Sequence, residues 1–123
     1  KIGIIFNLDK HYQSGSHWTC LFIDIDLKYI FYFDSNGKKK LPKEVDILIN
    51  RIIKQGMDIN INFKLIINNK EHQLLDGQCG VYSMYIIIKL LREKYYPTYF
   101  LKNRISDKLM KKYRKIYYNY NYN

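Results

Sequence analysis

Gln73-Leu74-Leu75-Asp76-Gly77-Gln78-Cys79-Gly80-Val81-Tyr82 is a polar turn that runs straight into an apolar stretch ending near Leu91. Gly77 and Gly80 flank Cys79, so the backbone there can bend tightly and other groups can approach it closely. Val81, Met84, Tyr85, Ile88 and Leu91 recur at helical spacing. Ile86, Ile87 and Leu90 make the remaining surface apolar too, which predicts a helix from Cys79 to about Lys94, buried on most sides. Cys79 stands at its first turn. Unpaired backbone N–H groups and the positive end of the helix dipole lie there, and both favour thiolate over thiol. That is the setting of a nucleophile. Taken alone, a free cysteine is more simply a small buried hydrophobe, so the other residues must decide between the two.

A chain of 123 residues is one domain, and 47% hydrophobic with 16% aromatic residues is enough apolar matter for a core rather than for disorder. The opening Lys1-Ile2-Gly3-Ile4-Ile5 reads as the middle of a strand, so further residues of the same domain are expected upstream. No apolar run has the length of a membrane span and no signal peptide is visible, so the expectation is an intracellular protein without membrane contact. Cys20 and Cys79 are too few for a disulfide scaffold. Three histidines without C-x-x-C or H-x-x-x-H spacing give no metal site, and no cofactor is expected. The formal charge of +10 leaves two readings open: contact with a polyanion such as nucleic acid, or a basic face that is merely solvated.

In chain order, Ile2 to Phe6 reads as a buried strand, followed by a polar loop, Asn7 to Ser16, that carries His11. Trp18 to Ile25 is apolar on both faces, hence a central strand. Asp26-Leu27-Lys28 turns the chain into an aromatic strand, Tyr29 to Phe33, which Asp34-Ser35-Asn36-Gly37 terminates. Lys38, Lys39 and Lys40 lie in an exposed loop. Pro42 opens a helix with Val45, Leu48, Ile49, Ile52 and Ile53 on its buried face, and Gly56 is expected to stop it. Asn60 to Ile67 is a fourth strand. After Pro97, Ser106 caps a last helix, whose apolar stripe is Leu109, Met110, Tyr113, Ile116 and Tyr117. Lys108, Lys111, Lys112, Arg114 and Lys115 surround it, and Asn119 to Asn123 is a low-complexity tail.

A nucleophilic cysteine needs a base, and the base needs an orienting group. If the strands from Trp18 and Tyr29 form a hairpin that turns near residues 25 and 26, opposed positions total 51. His17 then faces Asp34, with Cβ atoms about 4.5–5.5 Å apart, close enough for a carboxylate to hold an imidazole N–H. Asn36 is a rival for the orienting role. The backbone N–H of Cys79 and the side-chain amide of Gln73 are two donors for a developing oxyanion. Trp18 is most simply core, Cys20 inert packing within a strand, and His11 and His72 exposed loop residues without a role.

Gly15-Ser16-His17-Trp18, then Tyr32-Phe33-Asp34-Ser35 with Asp34 seventeen residues after His17, then Gln73 six residues before Cys79-Gly80-Val81-Tyr82, resembles the clan of cysteine proteases that holds Ulp1, the SENPs and the adenovirus protease. The loop before His17 is more similar to the viral members. The resemblance implies an α+β, papain-like fold with a small mixed sheet packed on the helix that starts at Cys79. It implies His17 as general base, Asp34 as its orienter, Gln73 and the Cys79 N–H as oxyanion hole and Cys79 as nucleophile, with Trp18 packing beside the site. Gln78 stands where cellular relatives carry Asp, which touches specificity rather than chemistry. The implied function is hydrolysis of a polypeptide, as in viral polyprotein maturation, with a preference for glycine near the scissile bond. On that reading the chain is one catalytic domain lacking N-terminal residues, and it works in a virion or host cytoplasm. A SUMO or ubiquitin-like deconjugating isopeptidase is the alternative within the clan. An acyltransferase of the same clan and a non-catalytic, basic nucleic-acid-binding module are alternatives from other classes.

Overall fold

The structure is a computed structural model that describes residues 1–8 and 17–118. Three strands open the chain: Ile2–Asn7 (β1), Trp18–Asp24 (β2) and Tyr29–Phe33 (β3). Lys43–Asp58 (α1) leads to Lys64–Ile67 (β4), and Cys79–Leu91 (α2), Thr98–Lys102 (α3) and Asp107–Tyr118 (α4) follow. The sheet order is β1-β2-β3-β4, antiparallel except for β4, which runs parallel to β3 after the α1 crossover. This is the mixed sheet of the expected α+β, papain-like fold.

The doubly apolar strands explain the layering, since each face of the sheet must be covered. On one face Phe22, Phe31 and Phe33 pack with Val81, Tyr82, Ile86, Phe100 and Met110, joining α2, α3 and α4. On the other, Leu21, Ile23, Ile30 and Tyr32 pack with Val45 and Ile49 of α1. Phe22, Phe31 and Phe33 are wholly buried, and burying a side chain of that size contributes about 1.5–3 kcal/mol.

Several elements depart from expectation. β1 is not buried: it is the sheet edge, and Ile2 and Ile5 are exposed. Gly56 does not stop α1. It lies buried within the helix because a Cβ there would stand 2.7 Å from the Phe63 ring. Residues 59–61 do not start β4, since their N–H groups close the end of α1 on the Gly56 and Met57 carbonyls. α2 stops at Leu91 rather than near Lys94, where Glu93 takes a left-handed backbone (φ 56°). Leu91, at helical spacing in the apolar run of α2, and Ile116, in the apolar stripe of α4, are exposed. The short α3 escaped the sequence reading. The Ser106 cap holds: its Oγ accepts the Leu109 N–H at 3.1 Å. Arg114 of the basic set on α4 donates to the Gly77 carbonyl at 2.9 Å and so ties α4 to the turn before Cys79.

Candidate active site

The hairpin brings His17 and Asp34 together, though not in the expected register. Opposed residues total 53, as in Cys20 with Phe33, because the turn is wider than assumed. A slip of two keeps every side chain on its face, where a slip of one would reverse them all. His17 and Asp34 are therefore diagonal neighbours rather than opposed, still within reach of long side chains. His17 Nε2 lies 2.9 Å from Asp34 Oδ1. The same oxygen accepts the backbone N–H of Asn36 at 2.8 Å. Asn36 thus contributes to the pair through its backbone, with its side chain exposed, and Asp34 holds the imidazole.

With Nε2 engaged by Asp34, Nδ1 is left to serve Cys79. The hydrogen bond from Asp34, then that of Cys79, raises the His17 pKa to about 9 against the cost of burial. Burial pushes the Cys79 thiol up, but the hydrogen bond and charge of His17 and the backbone N–H groups of Trp18 and Gly80 outweigh it, so the net shift is downward. The Trp18 N–H lies 3.4 Å from Cys79 Sγ. Thiolate and imidazolium are the forms this geometry favours together, and a thiolate is the reactive form of cysteine. Cys20 is the opposite case: it is fully buried, and burial pushes its thiol far above the ordinary range. Trp18 is not core; its side chain is partly exposed and its ring edge borders Gly80.

No side chain caps the start of α2, where Cys79 is the first helical residue. The first backbone N–H groups of the helix therefore lie at Cys79 without a side-chain cap, where an oxyanion could use them. Gln73 is buried in the loop before it, and its amide is held at both ends. Nε2 donates to the Leu75 carbonyl at 2.8 Å, and Oε1 accepts from the Ser35 hydroxyl at 2.7 Å. A carbonyl can only accept, so the Leu75 contact sets which end of the amide is nitrogen, and Ser35 completes the pair. One Nε2 hydrogen remains. Gln78 is also buried beside Cys79, and its Oε1 has no partner among the described residues.

The loop that carries Gln73 is strapped to the turn that carries Asp34. The Ser35 carbonyl accepts the N–H groups of both His72 and Gln73, and the Asn68 amide donates to the Asp34 carbonyl. Asp107 Oδ2 accepts the N–H groups of Leu74 and Leu75. His72, expected to be exposed, has no exposed surface. Its Nε2 lies 2.8 Å from the Phe100 carbonyl and its Nδ1 accepts the Ile105 N–H at 2.8 Å, which fixes one neutral tautomer. Burial above all lowers its pKa to about 4. Ser35, Asn68, His72 and Asp107 escaped the sequence reading. Only Ser35 carried a local signal, as the neighbour of Asp34; the others act on groups brought near from distant parts of the chain. His11 lies outside the described residues. Among those residues no cluster of His, Cys, Asp or Glu is arranged to hold a metal, and no helix is long and apolar enough to cross a membrane.

A helix-start cysteine facing an imidazole, itself held by a carboxylate across a strand pair, is an arrangement able to activate a thiol for attack on an acyl group. The chain belongs to the Ulp1 protease family: the model of that family's C-terminal catalytic domain matches residues 1–123. It is 32% identical over 122 residues to the putative thiol protease R355 of Acanthamoeba polyphaga mimivirus, covering 95% of this chain and 38% of that protein. It is 34% identical over 115 residues to the SUMO-1 cysteine protease S273R of African swine fever virus, covering 91% of this chain and 41% of the relative. The crystal structure of the ASFV pS273R protease superposes with a TM-score of 0.80 at 31% identity, over 91% of this chain and 42% of that one. The chain thus spans about two fifths of the length of these relatives.

Proposed function

We propose that this chain carries the catalytic centre of a cysteine endopeptidase that cleaves polypeptides through an acyl-enzyme. The observation that carries the reading is the hydrogen-bonded pairing of His17 with Cys79 at the start of α2, with Asp34 fixed on Nε2. The Cys79 thiolate attacks the substrate carbonyl. Its oxygen gains charge, which the Cys79 N–H and the remaining Nε2 hydrogen of Gln73 stabilise as donors. The His17 imidazolium gives its proton to the leaving amine, and the neutral imidazole then takes a proton from water as the thioester is hydrolysed. Asp34 keeps the ring oriented throughout.

Both viral relatives bear protease names, which supports maturation of a viral polyprotein in a virion or host cytoplasm. The preference for glycine near the scissile bond rests on the family resemblance alone. The name of the African swine fever virus relative, a SUMO-1 cysteine protease, favours deconjugation of a ubiquitin-like protein as the second reading. The test is cleavage of internally quenched Gly-Gly peptides and of a SUMO conjugate by the full-length protein. Cleavage that is lost in Cys79→Ala and His17→Ala supports the reading. A protein that instead becomes stoichiometrically acetylated by acetyl-CoA at Cys79 and cleaves neither substrate is an acyltransferase. Steep salt-dependent DNA binding with an unreactive Cys79 would make it a binding module.

A further inference from the structure

Behind the imidazole lies a cavity of about 450 Å³, lined by His17, Asp34, Lys38, Lys40, Lys43 and Leu41 among others. Its chemistry is lopsided. Three lysines line it, and among the described residues Asp34 is the one carboxylate on its wall. That carboxylate is already committed, since Oδ1 accepts both His17 Nε2 and the Asn36 N–H. Leu8, Leu41 and Pro42 give the cavity an apolar floor.

The lysine-bearing segment is anchored at both ends. At one end Gly37 takes a left-handed backbone (φ 74°) and donates to the Asp34 carbonyl at 2.9 Å. It packs so closely on the backbone of Lys70 and Glu71 that a Cβ would stand 2.7 Å away. At the other end Pro42 opens α1, and its carbonyl accepts the Asp46 N–H at 2.9 Å. Lys38, Lys40 and Lys43 therefore leave from fixed points of the backbone beside the base.

The direction of the reaction says which part of a substrate meets them. His17 must hand its proton to the leaving amine, so the chain on the leaving-group side of the scissile bond passes on the imidazole's side of Cys79. We propose that this cavity is a specificity subsite for an acidic side chain, Asp or Glu, on the leaving-group side of the substrate. The apolar floor takes the methylene groups and the lysines take the carboxylate. A pocket of this size admits a side chain, whereas a nucleic-acid backbone needs an open track of basic groups. The proposal rests on the protease reading above.

The experiment compares two internally quenched peptides that differ only at the first three leaving-group positions, Glu in one and Gln in the other. The full-length protein and its Lys38→Gln/Lys40→Gln/Lys43→Gln variant are assayed at low and high salt. The wild type is expected to favour the Glu peptide in kcat/KM by about five- to tenfold at low salt, the scale of one or two part-exposed ion pairs. The preference should shrink with salt and fall to about one in the variant, whatever the variant does to the rate common to both peptides. Equal rates on both peptides in the wild type would overturn the subsite and leave the protease reading intact. A preference that persists in the variant would place the acid elsewhere and overturn it equally. Cleavage of neither peptide would overturn the protease reading itself, and this one with it. Equal rates together with inhibition by a DNA oligonucleotide that the variant escapes would assign the lysines to nucleic acid.

Discussion

His72 should make the fold acid-sensitive in a window that its environment sets. The side chain is fully buried and neutral, with Nδ1 accepting the Ile105 N–H, so protonation would turn that acceptor into a donor facing a donor. Its pKa falls from 6.5 to about 4, through burial first and then the nearby Lys70 and Arg104 charges, against the Phe100 hydrogen bond. The sign follows from proton uptake. Below pH 6.5 the unfolded chain binds a proton at His72 that the folded chain refuses, so stability drops as pH falls from 6.5 to about 4 and then levels off. A shift of that size corresponds to about 3 kcal/mol over the full window, of which roughly 2–3 kcal/mol is lost between pH 7 and 4.5. Carboxylates and His17 also titrate, so the assay is a difference: urea unfolding of the wild type and of His72→Gln at pH 7 and at pH 4.5. The wild type should lose about 2 kcal/mol more than the variant over that interval. Equal losses would refute the argument, and so would an NMR titration placing the His72 pKa near 6.5.

Three further outcomes concern the site. Gln73→Ala should lower kcat by about 10²–10³ with little change in KM, because the oxyanion's charge is larger in the transition state than in bound substrate; Gln73→Glu should be no better, and wild-type kcat in a folded Gln73→Ala protein would remove the residue from the site. Ser35→Ala should lower kcat by roughly tenfold, since it leaves the Gln73 Oε1 without its donor; the loss should vanish in a Gln73→Ala background and Ser35→Thr should restore it, while additive losses would make Ser35 merely structural. Asp34→Ala should lower kcat/KM by orders of magnitude and Asn36→Ala by less than tenfold, because Asn36 serves the imidazole only through its backbone; the reverse order would make Asn36 the orienting residue.

Most of the fold was legible because its signals are local. The doubly apolar β2 and β3 and the apolar surface of α2 follow from periodicity alone. The errors fall where a distant partner decides. β1 has the same composition as a buried strand, and only its place at the sheet edge exposes Ile2 and Ile5. Gly56 looks like a helix stop until Phe63 closes on it. The hairpin register was misplaced by two, yet His17 still meets Asp34, because an even slip preserves the face and both residues sit at the open end of the strands. That His17, Asp34 and Cys79 come together was legible through order and spacing. The strap of Asn68, His72 and Asp107 was not, because each acts on backbone groups that the tertiary fold alone brings near.

The central claim is that Cys79 is held as a thiolate by His17. The direct measurement is the rate of iodoacetamide alkylation at each cysteine against pH, read by mass spectrometry of the folded full-length protein. Cys79 should react at neutral pH, with an inflection below that of an ordinary thiol, because the His17 charge and the Trp18 and Gly80 N–H groups overcome the cost of burial. His17→Ala should move that inflection upward, and Cys20 should stay unlabelled until the protein unfolds. A Cys79 that titrates as an ordinary thiol and is indifferent to His17→Ala would contradict the account.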